Sequence, residues 1–346
     1  MTKPRSALTP DALTMMDVIA QTGSFAAAAR QLGKVPSALT YSVRQLEDAL
    51  DVLLFDRRSR QAKLTAAGQE LLDEGRRLLE QIDAVANRVK RVATGWETQL
   101  SIAVDDVISR TTMLELCEAF YAATAPAARA PRAGRNPADA TPPATRLRFR
   151  TEVLAGTWEA LVTGQADLAI GVGTSREPVS GVTLKDLGPL PFVFAVAPHH
   201  ALAAASEPLD DAELIRHRAV AVADSAHRLQ PITVNLLPGQ DVLTVSDMHS
   251  KIDALLRGLG CGFVPEPMAR DHIEAGRLVV KVVERRQLDS RLGYACRTPV
   301  AVRGAARKAQ PGLALRWWLE RLESPATRAA LLERHGSRVG DRSMRG

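Results

Sequence analysis

The pattern of apolar residues changes near residue 99 and divides the chain into two parts with different folds. Residues 9–94 are rich in Ala, Leu, Gln and Arg with few β-branched runs, which predicts helices joined by short turns. Beyond residue 99, short apolar runs alternate with helical patterns, which is typical of an α/β fold with mostly parallel strands. The predicted strands cover 100–104, 147–153, 166–172, 192–196, 219–222 and 278–283.

The first part of the chain predicts a helix-turn-helix. A helix over 11–21, with Thr9 as its N-cap, is followed by a short helix over 25–32 and a longer one over 37–50. Gly33 marks the tight turn between the last two helices. Two helices joined by such a turn form the helix-turn-helix motif.

A basic hairpin and a long helix are predicted next. Residues 54–65 are hairpin-like and predict a wing that carries Arg57, Arg58, Arg60 and Lys63. Thr65 then caps a helix over 66–94 whose apolar residues recur every seven positions. Such a stripe either packs on its own domain or pairs with a second copy, and we favour dimerisation. The residues predicted to form the dimer seam are Leu71, Leu78, Ile82, Val85, Val89 and Val92.

Four motifs together resemble the N-terminal pattern of LysR-type transcriptional regulators. They are Gly23-Ser-Phe-Ala-Ala-Ala-Ala-Arg30, Gln45-Leu-Glu47, Leu53-Leu-Phe-Asp-Arg57 and Leu64-Thr-Ala-Ala-Gly68. The strong match covers residues 12–79, and a looser one extends to 322. Residues 95–98 and 151–158 resemble the YhaJ-like branch. The resemblance implies a homodimer or homotetramer that binds double-stranded operator DNA, senses a small-molecule effector and has RNA polymerase as a partner.

The resemblance also implies a fold class: α/β with an all-α winged helix-turn-helix N-terminal domain, followed by a two-lobed periplasmic-binding-protein-like effector domain. Pro, Ala, Arg and Gly dominate an insertion at 123–144, and the Arg-rich end of the chain is expected to be a disordered tail. The predicted boundaries are 1–66 for the DNA-binding domain, 67–94 for the coiled-coil linker helix, 95–323 for the effector domain, with lobe I at 99–179 and 291–322 and lobe II at 182–287, and 324–346 for the tail.

The candidate DNA-binding residues lie on the second and third helices and on the wing. The basic ones are interpreted as phosphate contacts, which supply affinity rather than sequence choice, although a solvated run of charge is an alternative. Pro36 stands where many relatives place a polar base reader, so sequence preference cannot be copied from them. Ser24 and Ser37 are interpreted as helix caps that also present backbone N–H groups. The full set is Ser24, Lys34, Pro36, Ser37, Thr40, Tyr41, Ser42, Arg44, Arg57, Arg58, Arg60 and Lys63.

The candidate effector residues follow strands or open helices of the two lobes, where ligands bind in clefts. They are Asp105, Asp106, Val107, Gly156, Thr157, Val172, Gly173, Ser225, Ser246 and His249. For Asp105 and Asp106, helix capping is an equally good interpretation. Carboxylates that face the cleft would repel an anion, so we hypothesise a neutral phenolic or a cationic effector.

Composition and motifs argue against other classes of protein. The chain has 346 residues and a formal charge of +6, which suits nucleic acid but does not identify a partner. The sequence has no zinc-site spacing, no Gly-x-Ser-x-Gly elbow and no Walker loop, so we expect no enzyme, no cofactor and no metal. Residues 258–262 are interpreted as a helix C-terminus, and the cysteines as reduced. Without an apolar leader or span, a cytoplasmic location is expected. The rival is a small-molecule-binding protein with an N-terminal oligomerisation module.

Overall fold

The computed structural model describes residues 7–56, 62–125, 145–174, 179, 181–285, 290–297 and 310–336, without the side chains of 84, 87, 88 and 90–94. The chain forms two compact units, residues 1–89 and residues 90–346. Predictions for Arg57, Arg58, Arg60, the side chain of Val92 and residues 126–144 lie outside the described residues.

The first unit contains the predicted helix-turn-helix. Thr9 caps the first helix, since its hydroxyl accepts the N–H of Ala12 at 3.2 Å. Gly23 and Gly33 both have positive φ and end the first two helices, as only glycine does at little cost. The helices are α1 (Pro10–Thr22), α2 (Phe25–Gln31), α3 (Pro36–Leu50) and α4 (Ala66–Thr94), which continues to the second unit.

Lobe I of the second unit is built on one five-stranded sheet with the strand order β2-β1-β3-β10-β4. The first three neighbours are parallel, and β10 and β4 are antiparallel additions. Its core includes Phe120, Tyr294 and Trp318. The elements are β1 (Gln99–Asp105), α5 (Arg110–Thr124), β2 (Arg146–Glu152), α6 (Ala155–Val162), β3 (Leu168–Gly173), β4 (Val182–Leu190), β10 (Ser290–Arg297), α10 (Leu313–Leu322) and α11 (Pro325–Glu333).

Lobe II contains an antiparallel sheet, β8-β5-β9, and a parallel pair, β6-β7, which an isolated bridge from Ala219 to Cys261 links to it. The sequence prediction of mostly parallel strands is therefore wrong for this lobe. The elements are β5 (Phe192–Val196), α7 (Asp211–Leu214), β6 (Ala219–Val222), β7 (Val242–Val245), α8 (Met248–Leu256), β8 (Gly262–Pro265), α9 (Glu266–Glu274) and β9 (Val279–Lys281), with a 3-10 turn at Ala201–Ala204.

The predicted boundary of lobe II at residue 182 is wrong. Strand β4 pairs antiparallel with β10 along its whole length, from Val182 opposite Arg297 to Leu190 opposite Ser290. It therefore completes the sheet of lobe I, and lobe II begins after it. The long sequence separation between the two strands hides this pairing from local patterns.

The disordered tail predicted from residue 324 is also wrong where the structure describes it. Helix α11 buries Leu331 and Leu332 against lobe I. The carbonyl of Leu331 accepts the N–H of Ser109 at 2.9 Å, and that of Ala330 accepts the hydroxyl of Thr112 at 3.0 Å. The end of the chain thus holds the start of α5. Residues 337–346 lie outside the described part.

Candidate functional site

The exposed face of α3 carries most of the DNA-binding candidates. Leu39, Val43 and Leu46 are buried on the opposite face. Ser42 is half-buried, and Tyr41 is 63% exposed with its hydroxyl accepting a hydrogen bond from Gln45 at 3.0 Å. The exposed candidates that the structure describes on or near this face are Lys34, Pro36, Ser37, Thr40, Tyr41 and Arg44.

The two serines interpreted as caps behave differently. Ser24 caps α2, because its hydroxyl accepts the N–H of Ala27 at 3.4 Å. Ser37 does not cap α3, so that prediction is wrong. Pro36 takes the first helical position, and the N-cap is Val35, without a side-chain hydrogen bond. Proline favours this position because its fixed φ suits a helix start.

Glu47 fixes the wing to α3. Its side chain is 6% exposed and accepts the N–H groups of Leu54 at 2.8 Å and Phe55 at 3.3 Å. The hairpin closes where Asp56 N–H donates to the carbonyl of Lys63 at 2.8 Å, and Lys63 itself is exposed. In the sequence, Glu47 stands out only as part of the motif Gln45-Leu-Glu47, and nothing there indicates that its side chain binds the backbone of the wing.

The predicted seam on α4 lies largely exposed on a single chain. Leu71 packs against the core of the first unit. Leu78, Ile82, Val85 and Val89 are 45%, 46%, 49% and 65% exposed. An apolar row of this kind at heptad spacing is typical of a helix that pairs with another helix.

Asp105 and Thr157 come together at the start of α6. The buried Asp105 carboxyl accepts the N–H groups of Val107 and Leu154 and the hydroxyl of Thr157, each at 3.2 Å. Asp105 thus holds the residue before α6 and a side chain of its first turn, but among the described residues it accepts no N–H of a helical residue and so does not cap α6. Burial and then the charge of Asp106 raise the pKa of Asp105 well above its ordinary value.

Asp106 connects the two lobes. Its carboxyl, 4% exposed, lies in the loop after β1 and accepts the N–H of Met248, the first residue of α8 in lobe II, at 2.5 Å. The positive end of a helix dipole favours a carboxylate at this position. Burial nevertheless raises the pKa of Asp106. Burial is thus the largest cause of the raised pKa of both adjacent carboxyls, Asp105 and Asp106.

Ser225 makes a second connection, between lobe II and the start of α6. Its hydroxyl donates to Glu152 at 2.7 Å and accepts the N–H of Val153 at 2.9 Å. Gly156 leaves the space for it, because a Cβ there would lie 1.8 Å from the Ser225 hydroxyl oxygen. Glycine at 156 is therefore required by this close approach.

Two carboxylates that sequence reasoning missed complete the connection. Asp224 accepts the N–H groups of Ala155 and Gly156, each at 3.2 Å, and so caps α6 from the other lobe. Glu159 accepts three N–H groups of residues 227–229, the shortest from Arg228 at 2.7 Å. Burial opposes ionisation of Glu159, but these three donors outweigh it and lower its pKa. The one sequence signal for the role of Asp224 is its position next to the candidate residue Ser225.

The remaining effector candidates are less closely tied to these contacts. Val107 is buried in the core, and Gly173 faces open space at the end of β3. Val172 is fully buried in lobe I with Trp158 and Ala295, so the prediction that it lines the cleft is wrong. Its position on the inward face of a central strand accounts for this. The exposed Ser246 and His249 flank the contact between Asp106 and α8, and burial lowers the pKa of His249.

No cluster of metal-ligating side chains occurs among the residues that the structure describes, and no helix there is long and apolar enough to cross a membrane. The cysteines are unpaired. Gly258 ends α8 with a positive φ, which confirms the interpretation of residues 258–262 as a helix C-terminus.

Comparison with known proteins decides the family. Residues 10–69 match the bacterial regulatory helix-turn-helix protein, lysR family, and residues 139–322 match the LysR substrate binding domain. The chain belongs to the LysR family of transcriptional regulators. It is 35% identical over 312 residues to the Escherichia coli K12 regulator YeeY, covering 90% of this chain and 92% of YeeY. It is 40% identical over 280 residues to the probable regulator YhaJ of the same organism, covering 81% and 87%.

Solved structures of LysR regulators share the fold. CbnR, crystallised with its target DNA, aligns with a TM-score of 0.53 at 18% identity, covering 90% of this chain and 98% of that one. The predicted family, fold class and function are thus confirmed. The chain is a DNA-binding LysR-type regulator with a C-terminal effector-binding domain. Regulators of this family bind operator DNA and small-molecule effectors and are oligomeric.

Proposed function

We propose that this LysR regulator couples a small molecule bound between its lobes to the spacing of paired α3 helices on operator DNA. The observation that supports this most is the set of hydrogen bonds that cross the cleft, from Asp106 to α8 and from Asp224 to α6. An effector that enters the cleft alters these contacts, shifts the population of lobe arrangements and so changes operator binding. Its effect on transcription then passes to RNA polymerase in the cytoplasm.

The DNA-binding unit in this proposal is a dimer. The exposed seam of α4 pairs two copies, and two α3 helices related by a two-fold axis read a palindromic site on adjacent turns of the duplex. Arg44 and Lys63, exposed on α3 and the wing, contact phosphates, and Tyr41 lies within reach of base edges.

Replacing Arg44 with Ala is expected to weaken operator binding and to flatten its salt dependence. The dimer loses two phosphate contacts, one from each copy, and each lost contact lowers the slope of log affinity against log salt by about 0.9, so the slope falls by about 1.8. The measurement is a mobility-shift titration on the DNA upstream of the gene at several salt concentrations. Arg216→Ala, which removes an exposed arginine in lobe II, is the matched control and keeps the parent slope. If Arg44→Ala and the parent have equal slopes, Arg44 does not contact a phosphate of the operator.

The effector in this proposal is neutral, such as a phenol, or cationic. Carboxyl groups crowd the cleft, and the N–H groups at the starts of α6 and α8 that would bind an anion already donate to Asp224 and Asp106. An anionic effector would have to displace a carboxylate of the protein and lie beside the others, at a cost in charge repulsion.

Calorimetric titration with phenol, benzylamine and benzoate tests this effector class. Replacing Asp106 with Asn removes a negative charge, so we expect benzoate affinity to rise about tenfold relative to that of phenol, or about 1.4 kcal/mol. Benzylamine affinity should fall. Asp253→Asn removes an equal charge on α8 at a residue outside the crossing contacts and serves as the control. An unchanged order of affinities in Asp106→Asn contradicts the assignment.

A further inference from the structure

The start of α3 presents an apolar patch to solvent, formed by Val35, Pro36 and Thr40. Val35 is 62% exposed, and Pro36 and Thr40 are exposed as well. Pro36 and Thr40 are neighbours on the helix surface because they are four residues apart. The hydroxyl of Thr40 donates to the carbonyl of Pro36 at 3.1 Å, so its proton is already used within the helix. The three side chains therefore offer hydrocarbon surface rather than a free hydrogen-bond donor.

Val35 does little for the stability of the first unit. It is the N-cap of α3, a position where Ser, Thr, Asp and Asn are preferred because their side chains accept a backbone N–H. Valine is among the least favoured residues there, and Val35 makes no side-chain hydrogen bond to the helix. At 62% exposure it also contributes little to the core. A side chain that neither caps the helix nor fills the core is available to a partner.

The apolar patch lies where a helix-turn-helix reads bases. In this motif the N-terminal residues of the second helix contact base edges in the major groove. Helix α3 is that helix, and it lies within the match to the lysR-family helix-turn-helix. The exposed cations Lys34 and Arg44 precede and follow the patch, and they suit the phosphates on either side of the groove. The patch itself therefore meets bases.

Thymine is the base that an apolar side chain recognises in the major groove. The bases present hydrogen-bond donors and acceptors there, and thymine adds a methyl group at C5. An apolar side chain set against a donor or acceptor removes it from water without replacing its hydrogen bond, which is costly. Contact with the thymine methyl instead removes apolar surface on both sides from water. An apolar patch thus favours thymine over the other three bases.

We propose that Val35, Pro36 and Thr40 select thymines in each half of the operator through their 5-methyl groups. The contact gives the start of α3 a sequence preference that needs no hydrogen bond from these three side chains. The proposal rests on the proposed function in one respect, the placement of paired α3 helices in the major groove, and it is independent of any effector.

Replacing thymine with uracil tests the contact, because uracil forms the same base pair and lacks only the 5-methyl group. The two probes are the DNA upstream of the gene, amplified with dTTP or with dUTP, and mobility-shift titration of the full-length protein compares them. Burial of each methyl group is worth about fourfold in affinity. With one buried methyl in each half-site, we expect the parent to bind the thymine probe about 15-fold more tightly than the uracil probe.

Two variants assign the effect to side chains of the patch. Val35→Ser removes the apolar group and adds a hydroxyl that can cap α3, so the helix keeps its stability. Thr40→Ser removes one methyl group and keeps the hydroxyl that donates to Pro36. We expect Val35→Ser to reduce the ratio of thymine to uracil affinity to about fourfold or less, and Thr40→Ser to reduce it by a smaller factor.

Val52→Ser is the matched control. Val52 is a second exposed valine of this unit, 40% exposed, and it lies beyond the other end of α3, a helix of 15 residues and therefore about 22 Å long. The control should keep the parent ratio. Equal affinity of the parent for the two probes, or the parent ratio in Val35→Ser, overturns the proposal. In both cases the parent still binds the thymine probe, which separates this failure from a failure of the proposed function.

Discussion

Replacing Gly156 with Ala is expected to separate the two lobes of the effector domain and to lower its stability by roughly 1–3 kcal/mol. The added Cβ would lie 1.8 Å from the Ser225 hydroxyl oxygen and 3.0 Å from Glu152. Ser225 has to move, and its hydrogen bonds to Glu152 and to the N–H of Val153 are lost. Alanine has a higher helix propensity than glycine, so the substitution does not destabilise α6 itself. The loss of stability therefore measures the contact between the lobes.

Thermal unfolding of the full-length protein measures this effect. In a domain of this size we expect the midpoint to fall by about 2–4 °C for each kcal/mol. Gly173→Ala is the matched control, because a Cβ at Gly173 meets nothing within 4 Å and its midpoint should stay at the parent value. An unchanged midpoint in Gly156→Ala would show that the contact between α6 and Ser225 is not made in solution.

Replacing Ile82 with Glu is expected to dissociate the oligomer and, with it, operator binding. Ile82 is 46% exposed in the middle of the α4 seam, and pairing of two copies would bury two carboxylates in an apolar interface. We expect the dimer dissociation constant to rise about 100-fold or more, which corresponds to about 2.7 kcal/mol. Sedimentation at several protein concentrations measures it.

The neighbouring variant Gln81→Glu adds the same charge at an exposed position outside the seam. It should sediment as the parent does and bind the same DNA. If Ile82→Glu keeps the parent oligomer, the apolar row on α4 does not form the interface.

The helices of the DNA-binding unit could be predicted from the sequence because the residues that begin and end them act on their immediate neighbours. Thr9, Gly23 and Gly33 mark helix ends through a cap or a positive φ, and each acts within a few residues. The seam of α4 was equally visible as a seven-residue repeat. Even here, Pro36 displaced the predicted cap at Ser37, since both residues are plausible at a helix start.

The effector domain was predicted less completely because its decisive contacts join distant residues. Strand β4 was assigned to the wrong lobe, since its partner β10 lies about a hundred residues away. The sequence around Leu331 and Leu332 is polar overall, and only the distant core that these two side chains cover distinguishes it from a disordered tail.

The residues that line the contacts between the lobes also fall into two groups, those that local sequence patterns predict and those that they do not. Asp105 and Asp106 follow a strand, a position that sequence patterns reveal. Asp224 lies in a long loop, and Glu159 lies inside a helix, with no signal that either one reaches across the cleft. Their roles depend on how the lobes meet, which no local pattern encodes.

The most direct test of the coupling between cleft and operator is a nuclease footprint of the parent, Gly156→Ala and Gly173→Ala on the DNA upstream of the gene. Gly156 lies in the effector domain, and the DNA-binding unit is unchanged in both variants. We expect Gly156→Ala to change the length or the pattern of protection, while Gly173→Ala gives the parent footprint. Identical footprints for all three, at protein concentrations that saturate the site, would contradict control of operator binding by the contacts between the lobes.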